Sequence, residues 1–445
     1  MPTRRSPRLR CADSASGARI GRLSLAAFTL PVLLFQAIEM TWRAYLPRFL
    51  YQDVGIALAA IAALIMGARL LDAVADLLLG WISDTVDTPM GRRKPWMAAG
   101  ALLVAIGAPP LFMAPMGTAM TTIVGASLLL HIGYSLIITP HGGWGLELSD
   151  DSHQRTRIMG AKVWFGLLGS LGLLGILAVL ERVFAVSLRT EMHLFGWAIA
   201  VLAPLTVLVP ILLFRERVRQ AYITLTNPIR LLITLLGKPA IRPILLLYMV
   251  TGIADAAAAS SFLFLTEDAL ALHHWGAALM LIQPVAAMVA LPFWGRLSAR
   301  MNRRHILMFS YGWQAVCATA LMLVPSGAMT AFAAILAIKG LGWGVDFMLL
   351  RAMVADVAGE DADTAPLAAS FYGVSSIALK LAMGLGGGGA LWVIGWAGDD
   401  MRGLAIRIVH CGPTMAAALG ASCILRMRRD CGSKPATSLR PTTAH

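Results

Sequence analysis

Apolar residues run unbroken for about 20 positions at a time along most of the chain, and a run of that length crosses a bilayer as a helix. The runs do not alternate between apolar and polar positions as barrel strands do. They predict twelve spans, at approximately 23–47, 54–84, 95–114, 118–147, 159–181, 193–214, 241–268, 276–298, 305–324, 328–352, 367–396 and 403–425. The longest polar break, 215–240, separates an N-terminal six-helix half, 23–214, from a C-terminal six-helix half, 241–425. The basic tails, 1–22 and 426–445, are expected to be disordered. The first apolar run follows several arginines, as in a signal peptide. It is long, holds Glu39 and Arg43 and lacks a small-x-small cleavage site, so it reads as a span.

Composition supports an all-α membrane protein. Of 445 residues, 58% are hydrophobic and 14% charged, where a soluble domain carries roughly a quarter charged residues. The net charge of +13 resides in short clusters between spans. That excludes a nucleic-acid partner and leaves the lipid bilayer. Even-numbered gaps hold Arg92, Arg93 and Lys94, then Arg155 and Arg157, then Arg215, Arg217 and Arg219, then Arg300, Arg303 and Arg304. Odd-numbered gaps hold Arg43 and Arg48, then Glu181, Arg182 and Arg189, then His273 and His274, then Asp399, Asp400 and Arg402. The asymmetry places the even gaps and both termini on the cytoplasmic side of a bacterial-type inner membrane. The five cysteines form no CxxC or Cys/His cluster, so neither a disulfide frame nor a zinc site is expected. No Walker motif and no nucleophile–base set is visible, which excludes ATP-driven transport and enzymatic chemistry. No cofactor is expected, and a monomer is.

The stretch RLLDAVADLLLGWISDTVDTPMGRRKPW, from Arg69 to Trp96, is the chemical centre of the chain. Asp72 and Asp76 lie one turn apart on one helical face. A charge inside a membrane costs about 2.5–3.5 kcal/mol on an insertion scale, and like charges this close repel. Something positive must therefore join them: a cation, a proton or a buried lysine. Lys380 is the one charged residue in the apolar run 374–391 and is the candidate. Asp255 and Asp346 are further acids in apolar runs that no motif supports. His131 and His141 read as satisfied helix histidines. The glycine run Gly384 to Gly389 reads as a close-packing face.

LPRFLYQDVGIALAAIAALIMGARLLDAVADLLLGWISDTVDTPMGRRKPW, from Leu46 to Trp96, resembles the glycoside–pentoside–hexuronide:cation symporters, the melibiose-permease-like branch of the major facilitators. Their signature R-x-x-D-A-x-x-D-P-x-x-G-x-x-S-D, then G-R-R-x-P-W, is matched at Arg69, Asp72, Ala73, Asp76, Gly80, Ser83, Asp84, Gly91, Arg92, Arg93, Pro95 and Trp96. Leu77 stands where proline is usual. Thr139 to Ile158 and GVSSIALK, ending at Lys380, resemble the same family, so the likeness reaches both halves.

The resemblance implies the major facilitator fold and alternating access. It implies that Asp72 and Asp76 bind the coupling Na⁺ or H⁺ with the Ser135 hydroxyl, and that Lys380 takes their charge when the cation is absent. Asp84, Arg92 and Arg93 match the cytoplasmic gate motif. Sugar-transporting members carry acids at positions that fall on Gln36 and Ile138 here, so the solute site is the point of departure. Gln36, Glu39, Trp144 and Lys162 are the candidate solute contacts. Glu39 can instead pair with Arg43 at i+4, and Trp144 can be packing. The function implied is cation-coupled symport of a sugar, glycoside or related small polar solute. A lysolipid or other amphiphile carrier of the same fold is the alternative, since such relatives keep the aspartates and the lysine.

Overall fold

The computed structural model describes residues 20–86, 88–148, 152–216, 233, 236–298, 300–359 and 368–427. Most of both tails and most of the central stretch 215–240 lie outside the described residues. The described residues are mostly helical, joined by short turns. Spans one to six are Arg22–Val54, Leu58–Thr85, Lys94–Phe112, Met120–Glu147, Ser152–Val183 and Leu188–Leu213. Spans seven to nine are Arg242–Ala269, Gly276–Ser298 and Arg303–Met322. Span ten comprises Met329–Gly340 and Val345–Gly359, and spans eleven and twelve are Ala368–Trp396 and Asp399–Met427. Eleven of them are long and apolar enough to cross a membrane by composition alone. Span nine falls short because it carries Arg303, Arg304, His305 and Gln314.

Two features depart from the sequence reading. Span one continues to Val54 through two π-helical turns, Thr41–Tyr45 and Leu50–Val54, on either side of Pro47. Proline contributes no N–H to the ladder, and the widened turns absorb the mismatch. Arg43 and Arg48, assigned above to a loop, are therefore inside the span, and Arg48 is only 2% exposed. Span ten, expected as one helix over 328–352, is broken at residues 341–344, where Gly344 has φ +84°. Glycine adopts that left-handed backbone without a Cβ clash.

Packing inside each half follows small residues. A Cβ on Gly133 of span four would stand 2.7 Å from the Gly100 carbonyl oxygen of span three, so the two helices meet backbone to backbone there. Between halves, span eleven is wedged between spans seven and two. One apolar core fills the N-terminal half and crosses into the C-terminal half at the end of the bundle away from Arg22 and Met427, with Phe49, Leu50 and Leu58 in the same cluster as Phe264, Phe332 and Leu391. At the other end the C-terminal half keeps a core of its own, including Ile244, Leu307, Leu349 and Ala421.

Polar contacts strengthen the joined end. Arg48 makes two 2.7 Å bonds to Asp268 and one of 2.9 Å to Glu267, and its guanidinium lies 4.9 Å above the Phe264 ring. Arg402 donates to the Tyr51 hydroxyl at 2.7 Å. Glu181 accepts the Ala277 N–H at 3.0 Å, at the start of span eight, while Arg182 stacks 3.8 Å from the Trp275 ring. The charges that set sidedness in the sequence therefore tie the halves together.

Candidate functional site

Span two presents Asp72 and Asp76 to span four, where His131, Ser135 and Thr139 recur every fourth residue and so share one face. Asp72 Oδ1 is 2.9 Å from His131 Nδ1. Thr139 Oγ1 donates to Asp76 Oδ1 at 3.1 Å. Ser135 lies one turn from each. Its hydroxyl is fully buried and makes no hydrogen bond among the described residues.

Arg69, one turn before Asp72, links the pair to span one. Its Nη1 is 3.3 Å from Asp72 Oδ2, and its Nη2 is 2.5 Å from Glu39 Oε1. Glu39 is thereby committed to Arg69. Arg43, its expected i+4 partner, pairs instead with Asp255 of span seven. From span eleven, Lys380 reaches across the interface between halves and donates to Asp76. Three carboxylates (Glu39, Asp72 and Asp76) thus share two permanent cations, Arg69 and Lys380, with His131 alongside. The cluster is one positive charge short when His131 is not counted. Access is graded along the helix: the Asp72 side chain is 2% exposed and the Asp76 side chain 24%.

His131 was read from sequence as a satisfied helix histidine, with no partner named. It is a partner of the motif carboxylate, and the Trp42 ring stands edge-on to it at 4.1 Å. Thr139 was not singled out at all. The four-residue spacing with Ser135 was its signal, since a face that turns one hydroxyl toward the aspartates turns its i+4 neighbour there too.

The gate arginines Arg92 and Arg93 lie at the start of span three. Glu216 accepts the backbone N–H groups of Arg92 at 2.6 Å, Arg93 at 3.1 Å and Lys94 at 2.8 Å, so it caps the start of span three. An acid at a helix N-terminus satisfies donors that the helix cannot. Arg93 is buried and its Nη1 donates to the Pro140 carbonyl of span four at 3.1 Å. The Asp84 side chain lies outside the described residues.

The four candidate solute contacts do not converge. Gln36 is exposed, near Gly166 of span five. Trp144 is 2% exposed and edge-on to Phe28 at 5.5 Å, the packing role that the sequence left open for it. Lys162 donates to the His141 carbonyl at 3.4 Å, near that packed end of span four. Only Glu39 joins the aspartate cluster, and it does so as the counter-ion of Arg69.

The family pattern described as "MFS/sugar transport protein" matches residues 27–406. The chain belongs to this family. Among curated relatives, this MFS/sugar transport chain is 23% identical over 370 residues to a glucuronide carrier protein homolog of Escherichia coli, covering 78% of each chain. It is 27% identical over 146 residues to the lactose permease of Lactobacillus helveticus, 31% of this chain and 23% of that one. It is 28% identical over 127 residues to the uncharacterized symporter YnaJ of Bacillus subtilis, where the match spans 27% of that relative's length. Among solved structures, the nucleoside transporter NupG superposes with a TM-score of 0.68 at 13% identity, covering 90% of this chain and 99% of that one. A bacterial homolog of the lysosomal transporter Spinster, inward-facing and unoccupied, superposes with a TM-score of 0.66 at 12% identity, covering 90% and 95%. These likenesses show the fold, an all-α membrane protein of the major facilitator type. The family and its structural neighbours are membrane transporters and not enzymes.

Proposed function

We propose that this MFS/sugar transport protein moves a sugar, glycoside or related small polar solute together with Na⁺ or H⁺ by alternating access. The observation that carries the reading is the bond from Lys380 of one half to Asp76 of the other, within a cluster one positive charge short of balance. A monovalent cation, or a proton, supplies the missing charge. Asp72, Asp76 and the buried hydroxyl of Ser135 offer hard oxygen ligands, with Thr139 at the margin. When the cation binds, it shares Asp76 with Lys380, and the bond between spans two and eleven weakens. Cation and solute then favour each other's binding by linkage.

In this reading both termini are cytoplasmic, and the joined end of the bundle is the outer one. The described conformation is then inward-facing, with Arg48 as part of the closed outer gate. Asp84, Arg92 and Arg93 belong to the cytoplasmic gate and bias the conformational equilibrium. The protein acts as a monomer in a bacterial inner membrane, without cofactor.

The test is solute uptake into proteoliposomes of purified protein, with and without an inward Na⁺ gradient and across pH. Uptake of sugars that neither gradient stimulates rejects cation coupling. A second reading, transport of a lysolipid, is favoured by Ile138, which packs against the apolar core where an acid is expected. Lysolipid uptake with no sugar uptake selects it.

A further inference from the structure

The break in span ten borders a recess that the aspartate cluster does not use. The recess lies in the C-terminal half, and Asp255, Gln314, Lys339, Trp343 and Asp346 are among its lining residues. It is narrow, about 430 Å³ when its open mouth is counted. Lys339 stands in the last turn of the first segment and Asp346 in the first turn of the second. Each charge is therefore at the helix end whose dipole favours it. Non-helical backbone inside a membrane is tolerated where it lines a cavity, and interrupted helices mark binding sites in transporters.

The polar groups of the recess are unequally satisfied. Asp255 is occupied, by Arg43 and by Trp343 Nε1 at 3.2 Å. Thr251 and Tyr311 bond each other at 2.6 Å. Asp346 accepts from Gln314 Nε2 at 3.3 Å through Oδ2, while its Oδ1 is buried with no partner among the described residues. Lys339 is 4% exposed, and its ammonium makes no hydrogen bond or ion pair among the described residues. A lone ammonium at that depth is expensive and marks function in membrane helices. Asp255 and Asp346 lie within electrostatic reach of it without touching it. The recess thus presents a free cation beside a free carboxylate oxygen and an amide.

We propose that this recess is a solute subsite in which Lys339 receives a carboxylate of the solute and Asp346 with Gln314 receives its hydroxyls. The subsite rests on the symporter reading above and narrows its solute to a carboxylate-bearing sugar or polyol. A neutral analogue leaves the Lys339 ammonium unpaired, and sites built around a buried polar group reject analogues that lack its partner. The narrowness of the recess suits one functional group of the solute, with the remainder lying between the halves.

The test compares methyl β-glucuronide with methyl β-glucoside, which differ by carboxylate against hydroxymethyl, by calorimetric titration of the purified full chain. The wild type is expected to bind the glucuronide about tenfold tighter, the scale of one charge-assisted hydrogen bond. Lys339→Gln should bring the ratio near one, and Lys339→Arg should retain part of it. Asp346→Asn should weaken both ligands and leave the ratio in place. A wild-type ratio near one overturns the subsite whatever the variants do. So does a ratio that Lys339→Gln leaves unchanged. Either result leaves the symporter reading standing if both glycosides bind. Binding of neither glycoside, with binding of a lysophospholipid, rejects the sugar reading itself and the subsite with it. If Lys339→Gln does not fold, the wild-type ratio and the Lys339→Arg variant decide.

Discussion

Lys380 of span eleven donates to Asp76 of span two, so a carboxylate of one half is neutralised by an ammonium of the other. The same bond joins the two halves and fills the candidate cation position. Asp76→Asn is expected to abolish cation stimulation of uptake, because the amide no longer competes for charge. The deciding measurement is uptake against Na⁺ concentration and pH in proteoliposomes. Unchanged stimulation would make the Asp72–Asp76 pair structural.

His131 holds Asp72 through Nδ1, and its Nε2 is buried without a partner among the described residues. His131→Gln keeps a donor near Asp72 and removes a protonatable ring. Uptake driven by a pH gradient should fall roughly tenfold, within the range of coupling between linked binding sites. Uptake driven by Na⁺ should be largely retained. Equal loss of both would show that His131 only positions Asp72.

Arg48 is buried between the halves, and its carboxylate partners are partly exposed, Glu267 at 26% and Asp268 at 29%. Arg48→Ala should release the joined end at a loss of about 1.5–3 kcal/mol for hydrogen bonds to a charged group. Distances between spin labels on Asp53 and His273 should then populate a longer component. A distribution identical to wild type would contradict a gate at this end.

Gly386 packs against the Ile253 backbone of span seven, and a Cβ there collides with its carbonyl. Gly386→Ala should lower stability by about 1–3 kcal/mol through overpacking. Thermal unfolding of the purified protein reads this directly, and a Tm equal to wild type would place the close approach in doubt.

Sidedness is tested by cysteine labelling. Cysteines at Arg215 and Asp399 are expected to react from opposite faces of the membrane. Labelling from one face alone would sink the twelve-span topology.

Much of the site was legible because it is periodic. Asp72 and Asp76 lie at helical spacing, Lys380 stands out in an apolar run, and Ser135 came from the family resemblance. The pairings were not legible. Glu39 prefers Arg69, thirty residues away, to its own i+4 arginine, because helix contact and not sequence spacing decides which guanidinium arrives. Arg43 and Arg48 look like loop charges until Asp255 and Asp268 from the other half meet them. The break in span ten is hidden by an apolar composition that continues through it. Gly340, Gly342 and Gly344 were its trace, and glycines are too common in membrane helices to signal a break alone.

The uneven charge count around Asp72 also has an electrical side. A cluster one positive charge short is an anion while empty and neutral once loaded with a monovalent cation. Membrane voltage, about 2.3 kcal/mol per elementary charge per 100 mV, then acts on the empty carrier and spares the loaded one when the solute is neutral. An inside-negative potential would push the empty site outward and so reset the cycle. Uptake under a clamped potential should therefore respond to voltage, while exchange of carriers loaded with a neutral analogue such as methyl β-glucoside, which never return empty, should not.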